Sequence, residues 1–270
     1  MSKSAMNGAT PDAERVRHLP WEERNLGRPS YELNCSNLLA EEALAVRERF
    51  RALEMAGPIF VQARVEHQDT RIHQMLTQLG FVPIEATIDP YCVLSRNEVV
   101  ARYVSDPQAF LPRRFSENEV EVAELDRQDG TQTKAVLAVA EESFVADRFH
   151  VDHRCPDHLA GRRYRLWTED LLRDKEVSFV MLVVRGSVAG FFAYKGEHLI
   201  LAGLSRLYAG SGLGDYFWLG VLQRIRGTGI ESVHTRISVN NVPVMNLYAR
   251  LGFKFRNPAM VFHYWSEAAH

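Results

Sequence analysis

The chain has 270 residues, 46% of them hydrophobic and 24% charged, with a formal net charge of -2. That length fits one large domain or two modest ones with apolar material for a sizeable core, and the near-neutral charge excludes a general basic field for nucleic acid or anionic lipid. Cys35, Cys92 and Cys155 are odd in number and widely spaced, which argues against a disulfide framework and for a reducing compartment. The first dozen residues lack an apolar h-region, and no apolar run approaches the roughly 20 residues of a membrane span. A cytoplasmic protein with a disordered start over residues 1–18 is therefore expected.

In chain order, Leu19-Pro20-Trp21-Glu22 precedes a short strand from Tyr31 to Cys35. Ala40 to Met55 then sets Leu44, Phe50 and Leu53 at helical spacing. Pro58 to Val65 reads as a strand, Asp69 caps a helix to Leu79, and Gly80-Phe81 stops it before a strand through about Leu94. This first module spans 19–102, and 103–117, with Pro107, Pro112 and Arg113-Arg114, reads as a linker.

The second module, 118–270, opens with a strand from Val120 to Leu125 and a helix from about Thr131 to Phe144. A polar, His-rich loop leads to a helix over Asp157 to Arg173. Val177 to Val184 and Val188 to Tyr194 form strands about the turn Arg185-Gly186-Ser187, and Glu197 to Ser205 is a third. Ala209-Gly210-Ser211-Gly212-Leu213-Gly214 follows that strand and opens a helix on which Phe217, Val221 and Ile225 recur every four residues. Glycines let a backbone approach a ligand, and the free N–H groups at a helix start favour an anion such as phosphate. Glu231 to Val239 is a strand, Pro243 to Leu251 a short helix, and Phe255 to Trp265 a last extended pair. An internal echo links the modules: Arg64-Val65, a helix and Leu79-Gly80-Phe81 parallel Arg236-Ile237, a helix and Leu251-Gly252-Phe253.

The Gly-rich turn after a strand, followed about thirty residues later by Asn241, Tyr248 and Leu251-Gly252-Phe253, resembles the GCN5-related N-acetyltransferase (GNAT) family over about residues 118–266. The resemblance implies an α/β (α+β) fold, a mixed central sheet flanked by helices, here preceded by a partial module of the same kind. The family's usual Gln or Arg before the first glycine is Ala209, which leaves the backbone to hold a pyrophosphate. Within the family, Leu19-Pro20-Trp21-Glu22 with Gly27, Ile84-Glu85, Arg148-Phe149, Pro156, Tyr164 and Trp167 are similar to the dTDP-fucosamine N-acetyltransferases. Those enzymes also join a partial module to a full one.

The resemblance implies acetyl-CoA as co-substrate and a primary amine, most specifically on a nucleotide-linked amino sugar, as acceptor. The amides of Gly210, Ser211, Gly212, Leu213 and Gly214 would cradle the pyrophosphate. The strand end at Leu204 and Ser205 would bind the pantetheine arm as an added strand, and Asn241 would touch it or hold the helix start. Tyr248, with a reference pKa of ~10, would donate its proton to the departing thiolate. Glu197 or Glu85 would be the candidate base, with a water chain as the other route; Glu85, Arg148, Phe149 and Tyr164 would face the substrate. His150, His153, Cys155 and His158 superficially resemble zinc ligands, but no second cluster accompanies them, and no metal is expected. Neither nucleic acid nor a membrane is an expected partner, and a homodimer stays open. Another small amine as acceptor, and a non-catalytic CoA or acyl-carrier binding module in which Tyr248 only packs, remain alternatives. A P-loop protein is disfavoured because Gly214 is followed by Asp215 and Tyr216, not Lys-Ser or Lys-Thr.

Overall fold

The computed structural model describes residues 15–144 and 147–267, so residues 1–14 of the expected disordered start lie outside it. The chain forms two compact units: one runs to Ala86 and resumes at Pro258, and the other is Thr87–Asn257. The first carries β1 (Val16–His18), α1 (Pro20–Leu26), β2 (Ser30–Leu33), α2 (Glu42–Glu54), β3 (Phe60–Glu66) and α3 (Thr70–Gln78). Along β4 (Val82–Val93) the chain passes into the second unit, which contains α4 (Glu98–Ser105), β5 (Val120–Glu124), α5 (Gly130–Ser143), α6 (Arg148–Val151) and α7 (Asp157–Arg173). There follow β6 (Ser178–Val184), β7 (Ser187–Lys195), β8 (His198–Leu204), α8 (Leu213–Gly227), β9 (Ser232–His234), β10 (Ile237–Ser238) and α9 (Val242–Arg250). The chain returns along β11 (Lys254–Trp265), one continuous strand where a pair was expected. Among the described residues no helix is long and apolar enough to cross a membrane.

In the first unit β1 pairs antiparallel with β2, β2 lies parallel to β3, and β3 runs antiparallel to Ala259–Trp265 of β11. Phe50 of α2 and Ile72 and Leu76 of α3 pack with Phe81 and Phe262. Leu44, expected on the buried face of α2, is 63% exposed. At 3.6 residues per turn, a stripe through the buried Val46 and Phe50 turns position 44 outward.

In the second unit the sheet order is β4, β9, β8, β7, β6, β5, antiparallel except for β8 and β9. The strands alternate their side chains between two cores. Phe179, Met181 and Phe191 face α5 and α7; Val180, Leu182 and Phe192 face α4, α8 and α9. Arg185 and Gly186, both with positive φ (51° and 75°), make the tight turn expected there. Residues 98–105, which the sequence assigns only to the end of the first module and the start of the linker, form α4 because Asn97 caps it, its side chain accepting from Val100 N at 2.9 Å.

The internal echo holds at the level of backbone hydrogen bonds. Asp69 and Asn241 cap α3 and α9 alike, accepting from Ile72 N (3.2 Å) and Val244 N (3.3 Å). Both helices end on a glycine with positive φ, Gly80 at 93° and Gly252 at 78°, and in both the next Phe N–H returns to the helix, Phe81 to Leu76 and Phe253 to Tyr248, at 3.0 Å. Tyr248 therefore occupies the position that Leu76 fills in the first unit.

Candidate active site

β8 and β9 pair at one position, His198 with His234, and then diverge. Thr235 N donates to Pro90 O (3.1 Å), Arg236 Nε to Asp89 Oδ1 (2.9 Å), and β10 pairs with β4, so this segment follows β4 while β8 stays with β7. These bonds split the single strand expected over Glu231 to Val239. A bulge at Ile200 adds to the divergence: Ala193 opposes Leu201 and Tyr194 opposes Leu199, leaving Ile200 unpaired. The bulge also puts Leu199 in one core and Leu201 in the other. A cavity of about 390 Å³ opens in the gap, lined by Leu199–Ala202 on one side and Thr235–Ser238 on the other. Beyond His198 the β8 edge facing it has no partner strand among the described residues, leaving backbone donors and acceptors for an extended ligand.

Tyr248 enters this cavity from α9. Val244 and Tyr248, four residues apart on one helix face, both line it, as does Asn241, whose side chain holds the helix start. The Tyr248 ring is buried against the edge of Phe253, 4.7 Å between centroids. Burial pushes its pKa up to about 12, with Trp218 pulling the other way, so at neutral pH the phenol is a proton donor.

The Gly-rich turn caps α8. Gly210 (φ 68°) and Gly212 (φ 85°) both take left-handed conformations, and Gly212 is the N-cap. Ser211 N donates to Tyr208 O (3.1 Å) and Leu213 N to Ser211 Oγ (3.2 Å), so two of the amides expected at a pyrophosphate already serve the turn. The Gly210 and Gly212 amides have no acceptor among the described residues. A Cβ at Gly212 would lie 3.1 Å from Pro112 Cγ. Gly212→Ala is thus expected to destabilise the protein by about 1–2 kcal/mol, the cost of a left-handed L-residue, and to weaken CoA binding. An unchanged melting temperature and CoA affinity would show that the turn relaxes freely.

Leu204 and Ser205 are tied into the scaffold. Ser205 N donates to Ala189 O (2.8 Å), and Leu204 O accepts from Ser143 Oγ (2.8 Å). The cavity-lining part of β8 lies earlier, at Leu199–Ala202. Of the residues expected to face substrate, Tyr164 lines the cavity, stacked on Phe144 at 4.0 Å. Phe149 is fully buried with the guanidinium groups of Arg148 and Arg163 at 4.9 and 4.7 Å from its ring, and neither Phe149 nor Arg148 is among the lining residues. Glu197 is exposed in the β7–β8 turn, and Glu85 is buried on the first-unit part of β4; neither lines the cavity.

Asp147, Trp167 and Trp218, not assigned to the site from sequence, do line it. The signal for Asp147 was its place before a short helix, where it caps α6, accepting from Phe149 N (2.7 Å) and from His150 Nδ1 (3.0 Å). Trp218 follows Phe217 on α8 and lies outside the four-residue stripe of Phe217, Val221 and Ile225. His150 is thus held by Asp147 and Cys155 is buried; among the described residues no group of three or more His, Cys, Asp or Glu is placed to hold a metal ion.

No family model matches the chain, and no curated protein matches it in sequence. Solved structures do match in fold. A GCN5-related N-acetyltransferase from Sphaerobacter thermophilus is similar with a TM-score of 0.60 at 13% identity, over 93% of this chain and 76% of that one. A tandem GNAT protein from the clavulanic acid biosynthesis pathway, solved without AcCoA, gives 0.56 at 14% identity over 90% and 77%. A GCN5-related N-acetyltransferase from Kribbella flavida gives 0.51 at 13% identity over 87% and 80%. With the mixed sheet, the parted parallel strands and the glycine turn that caps α8, the chain has the fold of the GCN5-related N-acetyltransferases.

Proposed function

We propose that this protein is an acetyl-CoA-dependent N-acetyltransferase in which a primary amine attacks the thioester directly, the acceptor being a small molecule and, most specifically, a nucleotide-linked amino sugar. The observation that carries this reading is the cavity between β8 and β9, with an open strand edge on one wall and the buried Tyr248 among its lining residues. The β8 edge at Leu199–Ala202 would take the pantetheine arm as an added strand, and the Gly210 and Gly212 amides at the start of α8 would take the pyrophosphate. Tyr248 then protonates the departing thiolate, a group with a reference pKa near ~8.5.

Among the described residues, Asp147 is the one carboxylate lining the cavity. Both its oxygens already accept hydrogen bonds, from Phe149 N and His150 Nδ1, and are engaged in capping α6. Water therefore removes the amine proton in this reading. The aromatic wall of Tyr164 and Trp167 offers flat faces to an acceptor such as a sugar ring. Residues 19–102 are read as the partial transferase-like module, and three buried free cysteines suit a reducing compartment such as the cytoplasm.

Thermal shift with CoA and with ATP tests the donor site: CoA at a hundred times its Kd is expected to stabilise by about 2.7 kcal/mol, and stabilisation by ATP alone would overturn the reading. Free-thiol release over a panel of nucleotide-linked amino sugars and other amines tests the acceptor. CoA binding without thiol release from any amine would leave a binding module instead.

A further inference from the structure

Trp218 is a buried residue with an unanswered donor. Trp218 lines the same cavity as Tyr248 and is 4% exposed, yet among the described residues its indole N–H meets no acceptor at hydrogen-bond geometry. Buried N–H groups without partners are few in native proteins, and each calls for a reason. The ring is held by two others edge-on, with centroids 5.2 Å from Phe192 and 5.5 Å from Phe217, so its N–H has a fixed direction. Tyr248 lines the same cavity and belongs to the same buried core cluster as Trp218. Burial raises the Tyr248 phenol's pKa and Trp218 lowers it, and Asp147 and Arg236 are the charged residues that line the same cavity. The N–H therefore favours the phenolate over the phenol.

We propose that Trp218 is a positioning residue of the reacting centre, its indole N–H standing beside the Tyr248 oxygen as a donor whose hydrogen bond closes only as the phenol gives up its proton. This rests on the acyl-transfer reading of the cavity. In that step the amine nitrogen bonds to the acyl carbon, the C–S bond breaks with its electron pair on sulfur, and the Tyr248 proton passes to sulfur to give the free thiol. The proton lost by the amine goes to water, and water returns one to the Tyr248 oxygen. While that oxygen is charged, the Trp218 N–H is the donor that answers it. A bond made in the transition state and not before it raises kcat without tightening substrate binding.

The chain has four tryptophans, so ¹⁵N labelling gives four indole N–H signals. Trp218→Phe identifies the relevant one, or direct assignment does so should that variant not fold. With fluorinated tyrosine incorporated to bring phenol ionisation to lower pH, the Trp218 signal is expected to move downfield as Tyr248 ionises, the Tyr248 signal being identified by Tyr248→Phe. A Trp218 signal indifferent to that titration overturns the proposal, whether or not the protein acetylates anything. In turnover, Trp218→Phe is expected to lower kcat about tenfold, the equivalent of one unit of phenol acidity, with KM for acetyl-CoA unchanged and no further loss in the Tyr248→Phe background. An equal loss in both backgrounds assigns Trp218 to packing and overturns the proposal. Absence of turnover in the wild type removes the acyl-transfer reading, while the titration still decides the pairing of Trp218 with Tyr248.

Discussion

Replacing Tyr248 by Phe is expected to lower kcat by about 10²- to 10⁴-fold, the range for loss of a positioned general acid, while leaving KM for acetyl-CoA near wild type. The phenol is the protonated donor that reaches the cavity from α9, and its ring is fixed by Phe253 and the buried core, so removing one oxygen disturbs little else. A loss confined to kcat marks an interaction made in the transition state. Free-thiol release at saturating acetyl-CoA measures it, and full activity in the variant would remove Tyr248 as the acid.

The same phenol predicts an alkaline signature. In the folded protein it ionises near about 12, against about 10 in the unfolded chain. The folded state thus binds the proton more tightly, and the stability this gives is complete below pH 10 and declines as pH rises from about 10 to 12, by about 1.4 kcal/mol per unit. Tyr248→Phe is expected to flatten that alkaline decline in thermal melts; an unchanged slope would place the decline on other groups.

Phe217→Ala is expected to destabilise the protein by about 3–5 kcal/mol, as for other buried aromatic truncations. Phe217 is fully buried on α8, edge-on to Phe192 of β7 at 6.2 Å and to Trp218 at 5.5 Å. Its ring also stands 3.4 Å from where a Cβ at Gly190 would be, so α8 and β7 approach too closely for neighbours to fill the space it leaves. Urea unfolding should show a lower midpoint with the slope unchanged. A loss under about 1 kcal/mol would mean that the core collapses into the gap.

The sequence by itself determined the elements whose signals are local. Asp157–Arg173 is helical over the span its periodicity marks, the Arg185-Gly186 turn joins β6 and β7, and the Asp69 and Asn241 caps with Gly80 and Gly252 stops bound α3 and α9. The Gly-rich turn capping α8 and the position of Tyr248 on the following short helix were legible for the same reason, since caps, glycines and four-residue spacing act over a few residues. Only the tertiary structure decided where the cavity lies. The bulge at Ile200 is defined by pairing with β7, and the parting of β8 from β9 by bonds from Thr235 and Arg236 to β4, partners about 150 residues away in the chain. Because side chains alternate along a strand and an unpaired residue shifts that alternation by one, no local pattern tells that Leu199 and Leu201 face opposite cores. For the same reason Phe149 is sealed between two arginines, Glu197 points to solvent, and Asp147 and Trp218 stand at the cavity: tertiary contact, which the sequence does not display, chose among residues of suitable chemistry.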